Sequence, residues 1–132
     1  MPLKINIVSI LVDDQQHALD FYTSILGFEL KHDIPADGAR YLTVTSPAGA
    51  EGVELFLEPN ANPAVPAKEF QRALVDAGIP WTSFGVDDIQ QEYERLTALG
   101  VEFTSEPTDY GDGFTAAIFD DTCGNLIMLV GT

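Results

Sequence analysis

The sequence predicts an α+β fold in which one pattern of strand, helix and three strands occurs twice. Three observations carry this expectation. Apolar strand-like runs end in paired aspartates, helical apolar faces end in glycine, and both features recur about 74 residues apart, a natural spacing for a duplicated half-domain.

Residues 5–12 are nearly all apolar, as a strand covered on both faces would be. Asp13 and Asp14 end the run. Ala18, Leu19, Tyr22, Ile25 and Leu26 then recur at three- and four-residue intervals, marking one face of a helix that Gly27 closes in a left-handed conformation. Phe28-Glu29-Leu30 reads as a strand, and 41–45 and 53–57 as two more, separated by loops at 35–38 and 47–49.

The second half repeats the order. Residues 81–86 form a strand, Asp87 and Asp88 follow, and Ile89, Tyr93, Leu96 and Leu99 mark a helical face before Gly100. Val101-Glu102-Phe103 mirrors Phe28-Glu29-Leu30, and 115–119 and 126–130 supply the last strands. Between the copies, Pro59, Pro63 and Pro66 exclude regular structure from 58–66, and Phe70, Ala73, Leu74 and Ala77 predict a short helix before Gly78. The chain is therefore expected to be one domain over residues 1–132: a first module at 4–58, a linker with its helix at 59–78, and a second module at 79–131. Neither half buries its sheet alone, so the two sheets are expected to meet around a cleft.

Composition narrows the functional classes. A chain of 132 residues with 21 Asp and Glu against 6 Lys and Arg carries a formal charge of −15, which excludes nucleic acid as a partner. At 45% hydrophobic and 10% aromatic residues, it is too apolar for a disordered acidic tail. A lone cysteine, Cys123, rules out an internal disulfide and a Cys-rich zinc site, and reads as a turn residue rather than a nucleophile. The start lacks a secretory signal, and no run approaches the roughly 18 apolar residues of a membrane span, so a cytoplasmic location without membrane contact is expected. Much of the charge has a local explanation. The pairs Asp13-Asp14 and Asp87-Asp88 suit helix N-caps better than catalysis, and 109–121 reads as solvated acidic loop.

The residues that carry these features resemble the glyoxalase / bleomycin-resistance / extradiol-dioxygenase superfamily, also called vicinal oxygen chelate proteins. The resemblance covers nearly the whole chain. It rests on Val12-Asp13-Asp14 with Ala18-Leu19-Asp20-Phe21-Tyr22 and Leu26-Gly27-Phe28, on Val86-Asp87-Asp88 with Leu96 and Leu99-Gly100-Val101, and on Phe119-Asp120-Asp121-Thr122-Cys123-Gly124-Asn125. It implies paired βαβββ modules whose curved mixed sheets form a central cleft, commonly in a homodimer. It also implies divalent-metal ligands from the first and last strand of each module, positions that fall here on Ile7, Glu54, Trp81 and Met128. Only Glu54 is a plausible ligand, and a lone carboxylate does not hold a catalytic ion. No metal and no other cofactor are therefore expected. His17, in the first helix, and His32, in the second strand, lie away from the ligand positions and read as surface or packing residues.

Strand alternation adds Ser9, Phe56 and Ser83 to those positions, with Leu126 and Val130 beside Met128. The expected site of Ile7, Ser9, Glu54, Phe56, Trp81, Ser83 and Met128 is apolar and aromatic with one acid, and it suits a small aromatic or cationic molecule. Trp81, Phe56 and Met128 have an alternative reading as filling between the sheets. Glu54 has two readings as well: general acid or base of a metal-independent isomerase or lyase, or structural partner of Arg40. The loop 108–114, with Tyr110 and Phe114 between glycines, is either a lid or a plain hairpin loop. Three functions stay open on these residues: a metal-free binding protein like the bleomycin-resistance branch, a glyoxalase- or dioxygenase-like enzyme, and a module for dimer or partner contact.

Overall fold

The computed structural model of the chain describes residues 2–131. It divides between Lys68 and Glu69 into two compact units.

The first unit contains β1 (Ile7–Val12), α1 (Gln15–Asp20), β2 (Glu29–Ala36), β3 (Ala39–Thr45) and β4 (Glu54–Pro59). Its sheet runs β1-β4-β3-β2, with β1 parallel to β4 and the other neighbours antiparallel. Asp14 caps α1, its carboxylate accepting the His17 amide at 3.0 Å. The helix then widens into a π-helical turn, Phe21–Ile25, in which the Leu26 amide donates to the Phe21 carbonyl five residues back. Adjacent Phe21 and Tyr22 both enter the core, whereas the simple helical period selected Tyr22 alone. Gly27 ends the helix at φ 88°, as expected. Ile10, Val12, Leu42, Val44 and Leu57 line the sheet face beneath α1 and are fully buried with Ala18 and Tyr22. Because side chains alternate, Ile7, Ser9, Tyr41, Thr43, Glu54 and Phe56 project from the opposite face.

The second unit is built the same way. The helix α2 (Ala67–Asp76) straddles the division and precedes β5 (Thr82–Val86), α3 (Ile89–Ala98), β6 (Phe103–Asp109), β7 (Thr115–Asp120) and β8 (Leu126–Gly131). The sheet order is β5-β8-β7-β6, again with one parallel pair, β5 with β8. Asp88 caps α3 by accepting the Gln91 amide at 3.0 Å. Ala117, Phe119, Ile127 and Leu129 are buried on the face toward α3, together with Leu96 of that helix. Ser83, Ile118 and Met128 project from the other face. Each unit is thus a βαβββ module with a four-stranded mixed sheet.

Several local expectations are corrected. The loop expected at 35–38 is two strand ends and a two-residue turn: Pro35 and Ala36 pair with Arg40 and Ala39, and Asp37 and Gly38 turn at φ 46° and 80°. Glu58 and Pro59 belong to β4, pairing with Leu11 and Val12 at the end of the strand, where β3 no longer pairs with β4 and a proline interrupts no ladder on that side. Residues 5–12 are not covered on both faces: regular strand begins at Ile7, Ile5 is 76% exposed, and Val8 is exposed too. The α2 face differs from the predicted one. Gln71 and Ala67 are buried while Phe70 is 54% exposed, because the Gln71 amide donates to Asn125 Oδ1 at 2.9 Å. Asp121, expected in solvated loop, is fully buried and accepts the amides of Cys123 and Asn125 and the Asn125 side chain. Thr108 and Asp109 extend β6, and the remaining loop is a hairpin connection closed by the Tyr110 amide on the Phe114 carbonyl at 2.8 Å.

Candidate functional site

On the open face of the first sheet, register brings the expected residues of this unit together. Ile7 pairs with Glu54 and Ser9 with Phe56 across β1 and β4, and Phe56 also pairs with Thr43 of β3. Thr43 pairs in turn with His32 of β2. The Glu54 carboxylate leans diagonally over β3 rather than straight across the ladder. Its Oε1 accepts the Thr43 hydroxyl at 2.8 Å and lies 3.7 Å from His32 Nε2, with the Glu54 side chain 22% exposed. Aromatic rings share this sheet face: Tyr41 and Phe56 are centred 5.3 Å apart, and His32 and Tyr41 5.8 Å. A half-buried acid beside tilted rings can accept a hydrogen bond or a positive charge while the rings cover an apolar body.

In the second unit, Ser83 pairs with Met128 and shares its face. Trp81 lies one residue before β5, and its amide donates to the Leu126 carbonyl at 2.8 Å, which extends the ladder to this residue. The Trp81 indole meets the exposed Phe70 ring edge-on at 6.0 Å. Among the described residues, Met128 and Trp81 are partly exposed and Leu126 is buried.

Two expectations about the charged partners fail. Arg40 does not meet Glu54: its guanidinium binds Asp33 in a fork, at 3.0 and 2.8 Å, and Gln16 at 3.0 Å. The reason is strand pairing. Arg40 lies opposite Pro35 near the hairpin tip, where Asp33 is in reach. That contact lowers the Asp33 carboxyl below its ordinary range and raises Arg40. His32, read as remote from the ligand positions, is instead the nearest basic group to Glu54, because the irregular pairing between Leu30 and His32 sets it opposite Thr43. Thr43, Tyr41 and Phe70 were also absent from the expected set. Tyr41 and Thr43 alternate along one predicted strand, a signal for a shared face, but only the β3–β4 register brings Thr43 to Glu54 and Tyr41 to Phe56.

The donor set does not match a divalent metal. Of Ile7, Glu54, Trp81 and Met128, only Glu54 offers an oxygen, and His32 would add at most one nitrogen. Among the described residues no group of three or more His, Cys, Asp or Glu side chains is placed to hold an ion. Protein metal centres take three or more ligands, and these residues do not supply them.

Twin βαβββ modules, each carrying an open sheet face, define a class of protein. The model of the Glyoxalase/Bleomycin resistance protein/Dioxygenase superfamily matches residues 4–129, and the chain belongs to that superfamily. The protein YurT of Bacillus subtilis (strain 168), described as uncharacterized, is 53% identical over 128 residues, covering 97% of this chain and 98% of its own. Among solved structures, UcmS2 is similar with a TM-score of 0.83 and 32% identity over 100% of both chains. TnmS3, described as an antibiotic binding protein from Streptomyces sp. CB03234, is similar with a TM-score of 0.76 and 26% identity over 98% of this chain and 96% of its own.

Proposed function

We propose that this protein binds a small aromatic or cationic molecule without a metal, using the apolar sheet faces that carry Ile7, Ser9, Glu54, Phe56, Trp81, Ser83 and Met128. In this reading Glu54 anchors the ligand's positive or hydrogen-bond-donating group. Phe56 provides stacking area on the face of the first unit; on the face of the second, Trp81 provides stacking area and Met128 adaptable packing. A charge contact and a cation–π contact each contribute on the order of 1–2 kcal/mol when partly desolvated, enough for micromolar to millimolar affinity once apolar burial is added. The observation that carries the reading is the half-buried Glu54 carboxylate on the same sheet face as the paired Tyr41 and Phe56 rings. The family supports it, and so does the similarity to TnmS3, an antibiotic binding protein. The protein is taken to act as a single-domain homodimer in the cytoplasm.

The test is thermal-shift screening of aromatic cations, catechols and α-ketoaldehyde adducts, with and without divalent metals, on wild type and Glu54→Gln. A ligand that binds only the native state raises the midpoint. Aromatic cations are expected to do so without metal, and Glu54→Gln to abolish their advantage over neutral analogues. A response seen only with metal, or stoichiometric zinc, nickel, iron or manganese in the purified protein, would reject the proposal.

A second reading draws support from the His32–Glu54 contact of 3.7 Å. A carboxylate and an imidazole at that distance, tightening on substrate, can pass a proton between neighbouring carbons of a carbonyl compound, as an isomerase or lyase requires. Turnover retained in Glu54→Gln would eliminate it.

A further inference from the structure

The binding reading leaves the nature of the cation open, and the hydrogen bonds around Thr43 narrow it. Thr43 lies in the middle of β3 and is fully buried. Its hydroxyl has two neighbours, the His32 backbone amide at 3.2 Å and Glu54 Oε1 at 2.8 Å. The amide can only donate, so the Thr43 oxygen accepts from it. The single hydroxyl proton is therefore committed to Glu54. His32 Nε2 approaches the same carboxylate oxygen, Oε1. Oε2, in contrast, has no bond to another side chain or to the backbone among the described residues. The result is a carboxylate with one oxygen held by a buried donor and the other free, on the sheet face that carries the Tyr41 and Phe56 rings.

We infer, resting on that binding reading, that Thr43 is a positioning residue which turns Glu54 into a directional acceptor. The site then selects an aromatic cation able to donate a hydrogen bond, an amidinium or a protonated amine attached to a flat ring, over a quaternary ammonium. A quaternary cation feels the same charge and the same ring faces but has no N–H for Oε2. An amidinium makes a short charge-assisted bond in addition, and such bonds depend on acceptor orientation. The diagonal lean of Glu54 across β3 exists because Thr43 holds it there; without the hydroxyl the carboxylate swings freely and keeps only its charge.

The experiment titrates the full chain with benzamidinium, benzyltrimethylammonium and neutral benzamide, followed by amide chemical shifts, for wild type, Thr43→Val and Thr43→Ser. Valine keeps the shape and strand preference of threonine but has no proton to give; serine keeps the proton. Wild type is expected to bind benzamidinium about tenfold more tightly than benzyltrimethylammonium. Thr43→Val is expected to erase most of that margin by weakening benzamidinium alone, and Thr43→Ser to restore it. Equal weakening of both cations would assign Thr43 a purely structural role and overturn the inference. So would an unchanged margin in Thr43→Val, or no preference in wild type. If Thr43→Val loses the dispersed spectrum of the folded chain, Thr43→Ala makes the same comparison. Failure of wild type to bind either cation would instead bring down the binding reading itself, and the inference with it.

Discussion

Gln15 reaches across 42 residues of sequence to donate from Nε2 to the Leu57 carbonyl at 2.8 Å. The same nitrogen donates to the Arg40 carbonyl at 2.7 Å, and Oε1 accepts the Arg40 amide at 3.0 Å. The paired residues of β3 and β4 are Thr43 with Phe56 and Val44 with Leu55, and beyond them the two strands part. A side chain from the first turn of α1 thus stands in for the missing backbone partners and ties the helix to both strands directly behind the candidate site.

Replacing Gln15 by alanine is expected to destabilise the chain by about 2–3 kcal/mol, because part-buried backbone groups lose their partners and water reaches them only partly. Gln15→Glu keeps the shape but loses both donors and is expected to do nearly as much harm. Urea denaturation followed by circular dichroism reads the change. A loss under about 0.5 kcal/mol, the range of an ordinary surface substitution, would show that the strands do not need this bridge.

Gly124 sits at φ 104°, and a Cβ there would lie 3.0 Å from the Gln71 side-chain nitrogen. Gly124→Ala meets both the left-handed backbone and the Gln71–Asn125 bond, so a loss of about 1–3 kcal/mol is expected. Adding Gln71→Ala removes the crowding but not the backbone strain, and it also deletes a buried hydrogen bond. The double variant should therefore be no more stable than Gly124→Ala. A full recovery in the double variant would place the whole effect on the crowding.

Both Asp14 and Asp88 accept an amide of the first helical turn. Alanine at either position is expected to cost about 1 kcal/mol, and asparagine, which caps equally well, almost nothing. The midpoints of chemical denaturation distinguish this from a catalytic or binding role. Loss of ligand binding in Asp14→Asn with unchanged stability would count against capping as their purpose.

The Asp33–Arg40 fork gives a pH dependence of known sign. Arg40 holds the Asp33 carboxyl below its ordinary range in the folded chain. The stabilisation is therefore present above the unfolded-state carboxyl range and is lost as the pH falls through the depressed folded value. Wild type should exceed Asp33→Asn in stability at neutral pH, by a small margin because the pair is exposed, and the margin should close in acid. A margin that widens on acidification would contradict the assignment.

Chelation provides a further check. If the site works without a metal, prolonged treatment with a strong chelator leaves both the thermal midpoint and the benzamidinium titration unchanged. A drop in either that zinc or manganese reverses would show that donors outside the expected positions assemble a metal centre.

The repeat was legible because its signals are local. Alternation, helical spacing, Asp14 and Asp88 at helix starts and Gly27 at a helix end each depend on neighbours within a few residues, and all of them appear in the fold. The π-helical turn at Phe21–Ile25 was not legible, since tertiary packing of Phe21 and Tyr22 overrides a simple period. Phe70 and Gln71 exchanged roles for a similar reason: the inward partner of Gln71, Asn125, lies 54 residues away.

For the site the same division holds. Sequence alone determined that Ile7 shares a face with Ser9 and Glu54 with Phe56, because side-chain direction alternates within each strand whatever its partners. Only the tertiary structure decided that Glu54 meets Thr43 and His32 while Arg40 turns to Asp33. Those contacts follow from register between strands, from a bulge in β2 and from the lean of one side chain. Register is set by how whole faces pack and by how turns close, and no residue's immediate neighbours encode it.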